Sequence, residues 1–198
     1  VLDFGQNMTG WVELDVNEPA GTEIVLTYGE VLQDECFYRD NLRTAKAEYR
    51  YVSNGKPAHV RPHFTFYGFR YVKVEGVAQV DSERFTAFHI RSDIDATGSI
   101  ETADPRVNQL FHNALWGQFD NFLDIPTDCP QRDERLGWTG DAAIISATAC
   151  KNLYMPAFFH HFIHQVGLEQ KHYQGSVPFF VPAPKAPDEA DAFWLSGN

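Results

Sequence analysis

One stretch of the chain, Asp128-Cys129-Pro130-Gln131-Arg132-Asp133-Glu134-Arg135-Leu136-Gly137-Trp138-Thr139-Gly140-Asp141, gathers four carboxylates, two arginines and a tryptophan between two proline-marked turns and a run of small apolar residues. Loops held by a rigid scaffold are where binding and catalytic side chains concentrate. Paired carboxyl groups can divide acid and base work across a glycosidic bond, one protonating the leaving oxygen while the other activates water. A planar guanidinium such as Arg132 grips a carboxylate or two sugar hydroxyls at two points, and Trp138 offers a flat apolar face to a sugar ring. Asp141 reads as the cap of the helix that follows, where a carboxylate is favoured, and Gly137 and Gly140 permit close approach of backbone to a ligand. The bland alternative is a solvated, self-paired charge cluster with Trp138 plugging the core. Carboxylates, arginine and tryptophan together favour a carbohydrate.

The elements that must position this loop divide into two kinds. Short alternating runs at residues 11–16, 23–28, 48–52 and 69–74, with a further strand at 84–90, are punctuated by turn signals at Pro19-Ala20-Gly21, Gly29, Asn54-Gly55 and Gly76. Several strands at such spacing predict an antiparallel sandwich. Residues 92–98 are polar and turn-rich, which puts a domain change there, with 1–92 as the β domain and 93–198 as the helical one. Asp104 and Pro105 then open a helix whose apolar face is Val107, Leu110, Phe111, Ala114 and Leu115. A second helix, capped by Asp141, runs through Ala142, Ile144, Ile145, Ala147 and Ala149 to about Asn152 and is apolar enough all round to be buried. A third starts at Pro156 and carries Phe158, Phe159, Phe162, Ile163 and Val166, and prolines between 178 and 187 forbid regular helix after it. Two or three helices cannot close a bundle, so the helical half looks incomplete by itself.

Composition bounds the function. A hydrophobic share of 43% supplies enough apolar surface for a globular core, and a net charge of −11 repels a phosphate backbone, which argues against nucleic acid as a partner. No apolar run is long enough to span a bilayer, and Val1 opens directly on strand-like sequence with no signal-peptide pattern. The expectation is a soluble protein, cytoplasmic or exported, whose oligomeric state the sequence leaves open. Cys36, Cys129 and Cys150 lack metal or redox spacing and read as free thiols.

The loop sequence Asp-Cys-Pro-Gln-Arg-Asp-Glu-Arg-Leu-Gly-Trp-Thr-Gly-Asp resembles the signature of the bacterial α-L-rhamnosidases, family 78 glycoside hydrolases. Upstream, residues 2–11, Tyr28-Gly29-Glu30 and residues 62–72 are similar to the concanavalin-like β-sandwich that precedes the catalytic barrel in that family. The resemblance implies a multidomain β plus α chain: an antiparallel β-sandwich followed by the first helices of an incomplete six-hairpin (α/α)6 barrel. It further implies that Glu134 is the general acid and that Asp128, Arg132, Trp138 and Asp141 line the rhamnose subsite, with terminal α-L-rhamnosides of plant glycosides or polysaccharides as substrates and no cofactor or metal. The implied mechanism is inverting, with a general base on a glutamate beyond Asn198. Glu169 and Glu189 are not assigned that role, so the 198-residue chain is expected to be inactive by itself. A carboxylic acid keeps its proton near neutral pH more readily beside other carboxylates and less readily in a direct arginine pair. Arg132 is therefore expected to face sugar or an aspartate.

Other constellations rank lower. His160 and His164 share a helical face, but His161 stands where a zinc-protease motif needs glutamate, so exposed helix histidines are the reading preferred. Trp116 falls near a core stripe, while Trp194 is undecided. The aromatics of 64–71 and Tyr28-Gly29-Glu30 could form a sugar-binding face, although alternate strand aromatics usually fill a core. The alternative function is a non-catalytic carbohydrate-binding or domain-docking β-sandwich, or a six-hairpin glycosidase acting on another sugar.

Overall fold

The computed structural model describes residues 1–183. They form two compact units, Val1–Ile90 together with Pro130–Asp133, and Arg91–Cys129 together with the chain from Glu134 onward.

In the first unit the strands are β1 (Leu2–Val16), β2 (Glu23–Gly29), β3 (Val31–Gln33), β4 (Cys36–Tyr38), β5 (Glu48–Val52), β6 (Ala58–Val60), β7 (Tyr67–Glu75) and β8 (Phe85–His89). Six of them make an antiparallel sheet in the order β5-β2-β7-β1-β6 with β8 also on β1, and β3 and β4 pair separately. Leu14 pairs with both Val60 and Phe85, so β6 and β8 flank β1 on opposite edges. Alternation drives the core: Val12, Leu14 and Val16 of β1 and Ile24, Leu26 and Tyr28 of β2 are buried. Tyr28 stacks on Tyr67 at 4.0 Å and meets Phe69 edge-on at 5.0 Å. Burial pushes the Tyr28 hydroxyl well above the ordinary phenol range, and its oxygen accepts the Val12 N–H at 3.3 Å.

All five strands expected from alternation are present. The first begins nine residues earlier than its alternation suggests, because β1 pairs with β7 across an irregularity between Asp3 and Met8 that breaks the period-two pattern. Tyr28, Tyr67 and Phe69 fill the core, so the aromatic run does not present a sugar-binding face there; Phe64, on the preceding loop, is fully exposed.

The second unit comprises α1 (Pro105–Asn121), the two-residue strands β9 (Phe122–Leu123) and β10 (Ile125–Pro126), α2 (Thr139–Asn152) and α3 (Pro156–His172). Asp104 caps α1 as expected, its carboxylate accepting the Arg106 N–H at 2.9 Å, with Pro105 in the first turn. Residues 92–98 are tied to this unit: Thr97 and Gly98 both donate to the Asn152 carbonyl, at 2.8 and 2.9 Å, and Tyr154 donates to Asp95 at 2.9 Å. A core of Ile94, Phe122, Ala149, Leu153, Met155 and Phe158 joins the elements. A smaller one holds Ala142, Phe162 and Val181.

The burial pattern corrects two sequence expectations. Helix α2 is not buried all round, since only Ala142, Ala149 and Asn152 are enclosed and Ile144 is 84% exposed; among the described residues its neighbours cover one narrow side. The apolar face read for α1 is displaced for the same reason. Leu110 is 68% exposed and Val107 is exposed as well, whereas the enclosed α1 residues are Gln118 and Asp120.

Candidate functional site

The loop ahead of α2 is fixed by backbone pairing with residues 178–181. Trp138 and Phe180 form an antiparallel bridge, Thr139 donates its N–H to the Phe179 carbonyl at 2.7 Å, and Val181 donates to Gly137 at 2.8 Å. The Thr139 hydroxyl adds a bond to the Pro178 carbonyl at 2.8 Å. The Phe179 carbonyl satisfies the first N–H of α2, and the helix begins at Thr139 with Trp138 as its capping position and no side-chain cap. Asp141 is therefore not the cap read from sequence but a first-turn residue, exposed and still within reach of the helix dipole. Gly137 has a different purpose from the one expected. A Cβ there would stand 2.3 Å from the Val181 carbonyl oxygen, so what approaches it is the protein's own backbone. Gly140 faces open space.

Within the helical unit, the side chains of Asp128, Cys129 and Glu134 come together, with ligand-type atoms all within 4.8 Å of one another. Cys129 is buried, while Asp128 and Glu134 are half-buried and one Asp128 oxygen is enclosed. Asp128 also lines a groove of about 450 Å³ between α1 and α2, shared with Asp141 and Gln118. Asp128 is thus the residue that links the cluster to the groove. Trp138 packs edge-on against Phe180 at 5.3 Å, and its indole nitrogen is buried with no hydrogen-bond partner among the described residues. A buried donor left idle is uncommon and calls for an explanation.

Arg132 lies in the four-residue piece Pro130–Asp133 that belongs to the sheet unit. There the Gln131 backbone passes so close to Gly68 that a Cβ on Gly68 would be 2.9 Å from the Gln131 nitrogen. Asp133 accepts the Thr44 hydroxyl, and this bond first, then its own backbone N–H and the charges of Arg43 and Arg132, hold its carboxyl below the ordinary range. Asp133 therefore serves to anchor the loop. The Arg132 charge is one contributor to the lowered Asp133 carboxyl, after the Thr44 bond.

Gln118 was missed by the sequence reading. It is 5% exposed, its amide donates to the Ala114 carbonyl at 3.1 Å, and its carbonyl oxygen is buried without a hydrogen-bond partner among the described residues. The available signal was a polar residue seven positions after Phe111 and three after Leu115, on the stripe read as apolar. Among the other candidates, His160 and His164 are exposed, and His161 faces Asp124 at 3.5 Å. The Trp116 nitrogen donates to His112 at 3.1 Å on a half-buried ring. Glu169 accepts the Ala183 N–H at 3.1 Å. Glu189 and Trp194 lie outside the described residues.

Comparison with known families agrees with this architecture in both units. Residues 1–91 match the bacterial alpha-L-rhamnosidase concanavalin-like domain, and residues 95–197 match the bacterial alpha-L-rhamnosidase 6 hairpin glycosidase domain. The chain belongs to the bacterial α-L-rhamnosidase family. An α-L-rhamnosidase of Alteromonas sp. (strain LOR) is 37% identical over 92% of this chain, and one of Streptomyces avermitilis is 43% identical over 80%. This rhamnosidase-family chain spans 20% and 16% of the lengths of those two relatives. The crystal structure of the Streptomyces avermitilis α-L-rhamnosidase complexed with L-rhamnose superposes with a TM-score of 0.87 at 38% identity, covering 93% of this chain and 18% of that one. The native Aspergillus terreus enzyme also gives 0.87 at 38% identity, covering 91% and 21%. Antiparallel sheet followed by helices is therefore the architecture of the family's concanavalin-like and hairpin-barrel domains. No helix among the described residues is long and apolar enough to cross a membrane.

Proposed function

We propose that the chain is part of an α-L-rhamnosidase that removes terminal α-L-rhamnose, with residues 1–92 as its β-sandwich and residues 93–198 as the opening of its helical barrel. In this reading Glu134 protonates the departing glycosidic oxygen, and Asp128 and Asp141 accept hydroxyls of the sugar in the groove they share. Arg132 adds donors from its loop. The Trp138 ring covers the sugar's apolar side. The reaction is inverting, and its base is a glutamate carried elsewhere in the whole enzyme, because neither Glu169 nor Glu189 is a candidate that the sequence supports. The substrates are rhamnosides of plant glycosides or polysaccharides, and the acid–base step needs no cofactor.

The observation that carries the proposal is the convergence of the Asp128 and Glu134 carboxyl groups within 4.8 Å, with Asp128 opening onto the groove that also holds Asp141. A proton donor and a hydroxyl acceptor side by side are what cleavage at a terminal sugar requires. In the whole enzyme, Glu134→Gln should lower kcat on an unactivated rhamnoside by about two to four orders of magnitude, the usual worth of general acid catalysis. A nearly full rate on that substrate would sink the assignment. A rhamnoside with a highly acidic leaving group should suffer much less, since it departs without protonation.

A further inference from the structure

The sheet unit holds a second group of chemistry-bearing side chains that the rhamnosidase reading leaves unused. Glu13, Tyr49, Tyr51, His59, Arg61 and His63 line a concavity of about 540 Å³, within the range of small-ligand sites. Glu13 is held firmly: its carboxylate accepts the Trp11 indole N–H at 3.1 Å, meets the His59 Nε2 at 2.6 Å and lies 3.6 Å from Arg61. The other ring nitrogen of His59 meets Asp15 at 2.7 Å. Two carboxylates facing both ring nitrogens suit only the doubly protonated imidazole, whose pKa is raised by Asp15 first and then by Glu13. The Arg61 guanidinium also lies over the Trp11 ring, 5.4 Å from its centre.

An ion-pair cluster that merely fastens β6 to β1 would account for the charges. It does not account for the aromatics. β5 is an edge strand whose alternation puts Tyr49 and Tyr51 on this concavity, while Glu48 and Arg50 line a different one. Both rings are half-buried, and neither hydroxyl takes part in a hydrogen bond among the described residues. Phe64, whose ring lies 6.4 Å from that of His63, is fully exposed with a left-handed backbone (φ 57°), a conformation that bulky residues rarely hold. Phe88, the register partner of Trp11, is exposed too. The charges of Glu13 and Asp15 are matched by those of protonated His59 and Arg61, so the site has no net charge to attract an ion. What remains on offer is two aromatic faces, two idle hydroxyls and a fixed rim of donors and acceptors.

We propose that this concavity is a carbohydrate-binding site for a neutral saccharide, which lays a ring face on Tyr49 and Tyr51 and presents hydroxyls to Arg61 and His63. It stands independently of the loop at Asp128 and would hold a polymeric substrate by a portion that is not cleaved.

Titration calorimetry on the 198-residue chain tests this with cellohexaose, xylohexaose and mannohexaose as neutral probes and a galacturonan hexamer as the charged one. At least one neutral hexaose should saturate below about 10 mM, and Tyr51→Ala should weaken it by about tenfold or more with an unchanged melting curve. Asp128→Asn should leave that binding as it is. If Tyr51→Ala fails to fold, the paired Tyr49→Phe and Tyr51→Phe variant keeps the stacking faces and should lose a few-fold through the missing hydroxyls. Absence of saturation by all three neutral probes, binding of galacturonan alone, or a loss in Asp128→Asn matching that in Tyr51→Ala would each overturn the proposal.

Discussion

Replacing Gly137 by alanine tests whether the loop carrying Trp138 is held by backbone packing. The added Cβ would stand 2.3 Å from the Val181 carbonyl oxygen, 3.1 Å from the Phe162 ring and 3.3 Å from the Ile125 side chain. The side chains can give a few tenths of an ångström. The carbonyl must move by roughly 1 Å to regain a normal contact, since carbon and oxygen do not tolerate such approach in a packed interior. Moving it strains the Val181 to Gly137 hydrogen bond of 2.8 Å and the Trp138 to Phe180 bridge beside it. Overpacking costs about 1–3 kcal/mol, and one weakened backbone hydrogen bond adds about 1 kcal/mol. The sum, about 2–4 kcal/mol, corresponds to a fall of roughly 5–15 °C in the melting of a domain of this size, followed by circular dichroism at 222 nm. In the whole enzyme the same variant should lose activity at temperatures where it remains folded, because Trp138 and the start of α2 shift together. A melting point within about 1 °C of wild type would show that residues 178–181 yield freely and that backbone packing does not hold the loop.

Two further predictions concern the scaffold. Phe69→Ala should destabilise the sheet unit by about 3–5 kcal/mol, whereas Leu110→Gln on the bare side of α1 should change stability by less than about 0.5 kcal/mol; comparable effects in urea titrations would contradict the burial pattern. Asp3 accepts from Arg70 at 2.7 and 2.8 Å, and this pairing above all holds its carboxyl below the ordinary value. Because the folded-state value is the lower one, the pairing contributes fully above about pH 4 and is lost as pH falls through the depressed value. The urea midpoint should therefore drop less in Asp3→Asn than in wild type between about pH 5 and about pH 2.5. Equal drops would show that the Asp3 pairing contributes nothing to acid sensitivity.

What could be read from the sequence was what local chemistry decides. The start of α1 was legible because Asp104 and Pro105 act within one turn, and α3 was legible because Pro156 marks its first position. The start of α2 was misread by three residues because the partner of its first N–H, the Phe179 carbonyl, lies forty positions after Thr139. Gly137 was visible as a special position, but the Val181 carbonyl it accommodates was not. The same distinction holds in the site. Asp128 and Glu134 belong to one local motif, whereas Gln118 joins Asp128 only through the packing of α1 against α2. Buried α1 residues could not be picked from periodicity when the stripe it predicts is left largely uncovered.

The path of the chain near the motif has a bearing on how such proteins can be recombined. Residues Pro130–Asp133 are counted with the sheet, while Cys129 before them and Glu134 after them are counted with the helices. The chain therefore passes from one unit to the other three times, not once. A chimera spliced at residue 92, with the sheet taken from one parent and everything after it from another, would inherit a loop whose Gln131 expects Gly68 and whose Asp133 expects Thr44. Parents differing at those two positions would give a misfitted loop beside Glu134 even though each half folds. Heredity in such a protein would favour the pair travelling together, and successful splices would be those that carry positions 44, 68 and 130–133 from a single parent.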